Sequence, residues 1–175
     1  AGPLQKLLDA LTAPPNAALT KRLRCQITVV DNASTDGSPE MVARRFPQAR
    51  LIALKENLGF AGGNNRAYRD SQGEYVLLLN PDTEVRPEAL ERLVGFLEAN
   101  SEAGAAGARL LNHDGSLQYS CSPEPSVSRE FARLFHLPGI RPDGYYPMDE
   151  WDQNRPHQVD VLLGACLMLR RRALE

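Results

Sequence analysis

Cysteine is scarce. The chain holds three, Cys25, Cys121 and Cys166, odd in number and far apart. That pattern excludes a disulfide framework and zinc-finger spacing, and fits reduced thiols. No apolar run approaches the ~20 residues a membrane span needs. No charged leader followed by an apolar stretch reads at the N-terminus. Neither sign of charge dominates: 20 basic against 22 acidic residues give a net −2, so the broad basic face of a nucleic-acid binder is excluded. Repeats and low-complexity tracts are absent as well. What remains is 175 residues, 42% hydrophobic and 24% charged, enough for one domain with a real core.

Leu4, Leu7, Leu8 and Leu11 form a helical stripe that Ala13-Pro14-Pro15-Asn16 breaks. Ile27-Thr28-Val29-Val30 is a short strand ending abruptly in Asp31-Asn32. Ser38-Pro39-Glu40 opens a helix, with Ser38 as cap and Pro39 at the first helical position, running to about Phe46. Leu51-Ile52-Ala53-Leu54 is a second strand. Lys55 to Asn65 reads as a polar, glycine-rich loop opening a helix to about Asp70. Tyr75 to Leu79 is a third strand, ending in Asn80-Pro81-Asp82. Pro87 starts a helix with Leu90, Leu93, Val94 and Leu97 on one face.

Non-alternating strands separated by helices predict a mostly parallel sheet covered on both faces. Ligands of such sheets sit at the carboxyl ends of the strands. The second half reads differently. Ala105 to Leu111 is a candidate strand, and Asn112-His113-Asp114-Gly115 a hairpin turn. Residues 121–158 form an irregular excursion rich in Pro and Arg, with a short helix near Arg129 to Phe135. Val159 to Leu169 returns as a strand interrupted at Gly164-Ala165.

Three clusters carry chemistry. Asp31 at a strand end, with Asn32, Ser34 and Thr35, offers acceptors and donors to a base or ribose, although the turn chemistry of Asp36-Gly37-Ser38 explains itself. Glu56-Asn57-Leu58-Gly59-Phe60-Ala61-Gly62-Gly63-Asn64-Asn65 lets backbone approach a ligand and leads into a helix N-terminus that favours an anion. Its spacing is neither the dinucleotide fingerprint nor a Walker loop. Asn80-Pro81-Asp82-Thr83-Glu84 is both a turn opener and a place for a hard divalent cation that also touches a diphosphate.

Taken together, VVDNASTDGS, ENLGFAGGNN, YVLLLNPDTEV and VLLGACLMLRR resemble glycosyltransferase family 2, in its bacterial rhamnosyltransferase-like branch. The resemblance runs from about Leu4 to the end. It implies a three-layer α/β/α GT-A fold over residues 1–175, and an inverting transfer of a sugar from a nucleotide-diphosphate sugar to an acceptor hydroxyl. The acceptor would be a carbohydrate or lipid-linked molecule of bacterial cell-surface polysaccharide synthesis. It implies that Asp31 contacts the base with Asn32 and Ser34 nearby. Asn57, Gly59, Phe60, Asn64 and Asn65 would line the donor pocket. Asp82 would be the metal-binding aspartate, for Mn²⁺ or Mg²⁺, with Asn80 in place of the leading aspartate of D-x-D. Gly164 and Ala165 would lie beside the donor sugar. The implied location is the cytoplasm, with room for peripheral contact at the inner face of the membrane.

The resemblance also implies a strand before the first helix and a catalytic base beyond Glu175, so the catalytic residue is unassigned and the domain reads as partial. Asp149, Glu150, Asp152 and Asp160 read as loop charges. His113, His136 and His157 lack metal spacing and read as loop residues. Two rivals stand beside this reading. A sugar nucleotidyltransferase would show a glycine- and basic-rich loop after its first strand, and none is read here. A non-catalytic nucleotide-sugar-binding fragment is separated from an enzyme by turnover.

Overall fold

The computed structural model describes residues 2–14, 16–135 and 146–175. The leucine stripe makes helix α1 (Gly2–Thr12), and a helix not anticipated from the sequence, α2 (Asn16–Arg22), follows it. Strand β1 is Thr28–Asp31, α3 Ser38–Arg45, β2 Arg50–Ala53, α4 Gly59–Arg69, β3 Tyr75–Leu79 and α5 Pro87–Ala99. The short strands β4 (Ala105–Gly107), β5 (Leu110–Leu111), β6 (Leu117–Gln118) and β7 (Cys121–Ser122) come next. Then follow α6 (Val127–Leu134), β8 (Val161–Leu162) and β9 (Cys166–Arg170).

The sheet is parallel where βαβ connections build it and antiparallel where the chain returns. β1 and β2 pair in parallel, Val29 opposite Leu51. β9 runs antiparallel between β3 and β4, with Leu77 opposite Met168 and Ala106 also opposite Met168. The mostly parallel expectation therefore holds for β1–β2, and β3 and β4 share one direction across β9. β9 reverses because it arrives from the excursion rather than from a crossover helix. Among the described residues no ladder joins β1 to β3. α1 links the two parts instead. Its Leu8 is 2% exposed and packs with Met41, Val42 and Phe46 of the α3 region, Val29 and Leu51. On its other flank Leu7 and Leu11 join Leu19, Leu90, Leu77 and Leu79. α5 completes the core with Leu93 and Leu97 against Ala106, Cys166 and Met168. Each such leucine, fully buried, contributes roughly 1.5–3 kcal/mol.

Three local expectations are corrected. Gly37, at φ 77°, is the residue before α3, and Ser38 is already helical; its N–H donates to the Asp36 carboxylate at 3.0 Å instead of Ser38 capping the helix. The glycine-rich segment is helix from Gly59 onward, not loop to Asn65. Gly62 and Gly63 tolerate this because the helix needs a close approach: a Cβ on Gly63 would meet the Asn32 side-chain nitrogen at 3.1 Å. Residues 121–158 hold more regular structure than expected, since β7 pairs with β8 and α6 begins at Val127 behind a Ser126 cap. The hairpin turn is as read: β5 and β6 pair across 112–116.

Candidate functional site

Four segments meet at one rim, each held by a specific contact. Asp31 ends β1, is buried, and accepts from the Ser34 N–H at 3.1 Å. This leaves Asp31 with acceptor capacity and Ser34 exposed. Between them Ala33 sits at φ 62°, the left-handed region that costs an L residue about 1–2 kcal/mol. Ala33 is exposed, so Ala33→Gly loses no packing. It is expected to stabilise the chain by up to about 1 kcal/mol, read as a higher urea midpoint.

The Asn32 side chain works as a strut. Its Oδ1 accepts from the Leu58 N–H at 3.3 Å, and its Nδ2 donates to the Gly59 carbonyl at 3.1 Å. Asn57 accepts from the Gly59 N–H at 2.8 Å. The β1 end is thereby tied to the start of α4. Gly59 itself has φ 71°, which favours glycine. The sequence reading placed Asn32 beside the nucleotide; its amide is occupied in joining two loops, a role that no sequence signal announces.

Phe60, in the first turn of α4, is 59% exposed. It reaches across to the Gly164-Ala165 turn: a Cβ on Gly164 would lie 3.0 Å from Phe60 Cζ. Gly164→Val is expected to drive the ring from this position, seen as a shift of the Phe60 ring resonances with little loss of stability, since the ring is exposed. Unmoved ring resonances would show that the contact is not made in solution. Asn64 lies one helical turn after Phe60, on the same face and half-buried. Asn65 is exposed, on a different face from Phe60.

The same small-residue turn meets the end of β3. The Asn80 N–H donates to the Ala165 carbonyl at 3.0 Å, and Thr83 Oγ1 donates to the same oxygen at 3.3 Å. The Thr83 N–H closes the turn on the Asn80 carbonyl at 3.2 Å. Asp82 projects from this turn, exposed, and its carboxylate has no partner among the described residues. No group of three or more His, Cys, Asp or Glu side chains is arranged for a metal among the described residues. Asp82 thus offers an exposed carboxylate that is not part of a cluster of three or more such ligands among the described residues. It fits a hard cation that keeps water and takes its remaining ligands from phosphate oxygens, and does not fit an all-protein cage.

Asp149 and Asp160 are engaged in holding the excursion. Tyr119 donates to Asp149 at 2.9 Å. Asp160 accepts from the Glu124 N–H at 3.0 Å and from the Tyr146 hydroxyl at 2.8 Å, which hold its carboxyl below the usual carboxylate range. Trp151 stacks on His157 at 4.3 Å. His113 and His157 are exposed loop residues as expected, while His136 lies outside the described residues. The three cysteines are free; burial pushes the Cys166 thiol up.

Sequence reasoning passed over Arg170. It is buried in β9, where its Nε donates to the Ala103 carbonyl at 3.2 Å and one Nη to Tyr75 Oη at 3.2 Å. The other Nη donates to the Leu97 carbonyl and, at 3.3 Å, to the Asn100 carbonyl. A signal was present: Cys166, Met168 and Arg170 alternate along one strand face, and all three are buried.

The fold has counterparts among solved proteins. The mannosyltransferase PcManGT of Pyrobaculum calidifontis, solved with GDP-Man and Mn²⁺, shares the fold with a TM-score of 0.55. That likeness has 23% identity and covers 98% of this chain and 41% of that one. The architecture is that of the GT-A glycosyltransferases, here in incomplete form. The sequence profile of glycosyl transferase family 2 matches residues 3–175, and the chain belongs to that family. It is 28% identical over 166 residues to the N-acetylglucosaminyl-diphospho-decaprenol L-rhamnosyltransferase of Mycobacterium tuberculosis, covering 84% of this chain and 52% of the relative. The succinoglycan biosynthesis protein ExoO of Rhizobium meliloti is 36% identical over 104 residues, 58% of this chain and 28% of its own length. The chain thus spans about half the length of the mycobacterial relative. Among the described residues no helix is long and apolar enough to cross a membrane.

Proposed function

We propose that the rim binds a nucleotide-diphosphate sugar and that the protein transfers the sugar to an acceptor hydroxyl with inversion. One observation carries this reading. Asp31, the α4 start, the Gly164-Ala165 turn and the Asp82 turn are joined in a continuous chain of contacts. An acceptor carboxylate, an anion-favouring helix start, an aromatic ring and the exposed Asp82 carboxylate therefore share one rim.

In this reading Asp31 accepts hydrogen bonds from the base or ribose. The first turn of α4 presents backbone N–H groups that suit a diphosphate. Asp82, with Asn80 beside it, would hold Mn²⁺ or Mg²⁺. When bound, such a cation neutralises charge on the leaving diphosphate. Gly164 and Ala165 would lie beside the donor sugar, where such small residues leave room for the acceptor. The acceptor oxygen attacks the anomeric carbon, a new C–O bond forms on the face opposite the leaving group, and the diphosphate departs with the electron pair of the broken bond. The acceptor's proton passes to a general base. Asp149 and Asp160 are not assigned that role, because both are held by tyrosine hydroxyls that tie the loops together.

The family membership and the mycobacterial relative, named for a lipid-linked acceptor, support a polysaccharide-building role on a lipid-linked acceptor. The test is Asp31→Ala, with Asp31→Asn as a control that keeps an acceptor for the Ser34 N–H. The alanine variant is expected to bind free nucleotide at least about tenfold more weakly, with or without Mn²⁺, a difference of about 1.4 kcal/mol. Equal affinity in wild type and variant would remove Asp31 from the site.

A further inference from the structure

Helix α6 is built inside out. On a helical wheel Val127, Phe131, Leu134 and Phe135 share one face, and Arg129 and Ala132 lie on the other. A helix ordinarily turns its apolar face inward. Here the apolar residues are 90%, 58%, 70% and 57% exposed. Arg129 and Ala132 are the half-buried residues, and Arg129 Nε is buried beneath the helix. An open groove of about 600 Å³ runs along this face, lined by Pro125, Val127, Phe131 and Leu134, with Glu130 and Arg133 at its edge. Those two charges neutralise each other at 2.8 Å. The outward face is thus apolar and without net charge.

The face is also joined to the candidate site. The Glu124 N–H, just before α6, donates to Asp160, and Ser122 pairs with Val161, so the base of α6 is anchored to β8. β8 leads directly through Leu163 to Gly164, whose neighbour is Phe60. Among the described residues the other large exposed apolar side chains are Leu58, Phe60, Leu163 and Leu174. Three of these four lie on the rim itself. Apolar exposure is therefore concentrated along the rim and along the helix tied to it.

We propose that α6 docks on a lipid bilayer surface, inserting Val127, Phe131, Leu134 and Phe135 so that the rim faces an acceptor carried in that bilayer. The proposal rests on the lipid-linked acceptor reading above. The size of the face selects this occupant. Four side chains on two helical turns offer roughly a few hundred Å², which is of the order of functional apolar patches but below the ~800 Å² that each partner buries in a standard protein–protein interface. A short amphipathic helix lying in the plane of the interface needs no partner surface of matching shape. Its lack of net charge points to insertion among acyl chains rather than attraction to anionic headgroups.

Flotation of this chain with phosphatidylcholine vesicles tests it. The wild type is expected to float with vesicles at low and at high salt alike. The double variant Phe131→Asp, Leu134→Asp is expected to float at least tenfold less, with an unchanged circular dichroism spectrum. A second variant, Phe131→Trp, keeps the face apolar and is expected to show emission quenched by brominated acyl chains beyond any quenching of Trp151 in the wild type. A wild type that stays in the aqueous fraction overturns the proposal. So does equal flotation of the double variant, no added quenching in Phe131→Trp, or a concentration-dependent dimer that the double variant abolishes. Nucleotide titration run in parallel without vesicles separates failures. Lost vesicle binding with retained nucleotide binding sinks only the docking surface, and the reverse sinks the transferase reading.

Discussion

Replacing Asp82 by alanine is expected to abolish the Mn²⁺-dependent part of nucleotide affinity and leave the fold intact. The structural half follows from the geometry. Asp82 is exposed, and the turn around it is closed by the Thr83 N–H on the Asn80 carbonyl and by Asn80 and Thr83 on Ala165, none of which uses the Asp82 carboxylate. Exposed substitutions of this kind usually change stability by no more than about 0.5 kcal/mol. The binding half follows from the donor set. Among the described residues no group of three or more His, Cys, Asp or Glu side chains is arranged there, so little is left to compensate for its removal. An effect of roughly tenfold to a hundredfold in the presence of Mn²⁺ corresponds to about 1.4–2.7 kcal/mol. Without metal, wild type and variant are expected to bind nucleotide alike. Mn²⁺-dependent affinity that survives in Asp82→Ala would place the cation elsewhere.

The largest expected effect on stability comes from Arg170→Met. Arg170 is buried and has no carboxylate partner among the described residues; its charge is satisfied by the carbonyls of Leu97, Asn100 and Ala103, at and just beyond the end of α5, and by Tyr75 Oη. A cation is favoured there, because the last carbonyls of a helix carry the negative end of its dipole. Methionine fills similar space and offers no donor. One buried carbonyl, that of Leu97, and two part-buried ones then lose their partner, at about 1–3 kcal/mol for a buried group left unsatisfied. A loss of about 3 kcal/mol overall is expected, which for a chain of this size lowers Tm by roughly 10 °C. Arg170→Lys restores the charge without the planar fork and is expected to fall between the two. A methionine variant within about 1 kcal/mol of wild type in denaturant unfolding would show that the guanidinium is dispensable.

What the sequence made legible, and what it did not, divides along physical lines. Helices announced themselves where apolar residues recur at helical spacing: Leu7, Leu8 and Leu11, and Leu90, Leu93 and Leu97, are buried as their stripes required. The abrupt ends of β1 and β3 in Asp31 and Asn80 were readable because an apolar run stops at a polar residue. The direction of β9 was not, since a strand carries no mark of its partner; its antiparallel pairing with β3 depends on the path of residues 121–158. The glycines near the start of α4 masked a helix, because glycine lowers helix propensity and only the contact of Gly63 with Asn32 explains its presence.

The candidate site was legible as separate clusters, each with a turn explanation of its own. Their meeting is a tertiary fact. Nothing in the spacing of Asn32, Leu58 and Gly59 says that one amide bridges them, or that Gly164 lies under Phe60, or that Ala165 accepts from both Asn80 and Thr83. The outward apolar face of α6 was hidden as well. The segment reads only as a short helix in an irregular excursion, and the exposure of Val127 and Leu134 shows which way its apolar face turns.

The claim on which the rest depends is that the rim binds a nucleoside diphosphate with help from a divalent cation. Calorimetric titration of this chain with UDP, dTDP and GDP, each with and without Mn²⁺, addresses it directly. Saturable binding of at least one of them, tightened by Mn²⁺, is the expected result. A folded chain that binds none of the three at millimolar concentration, with or without the metal, would contradict it.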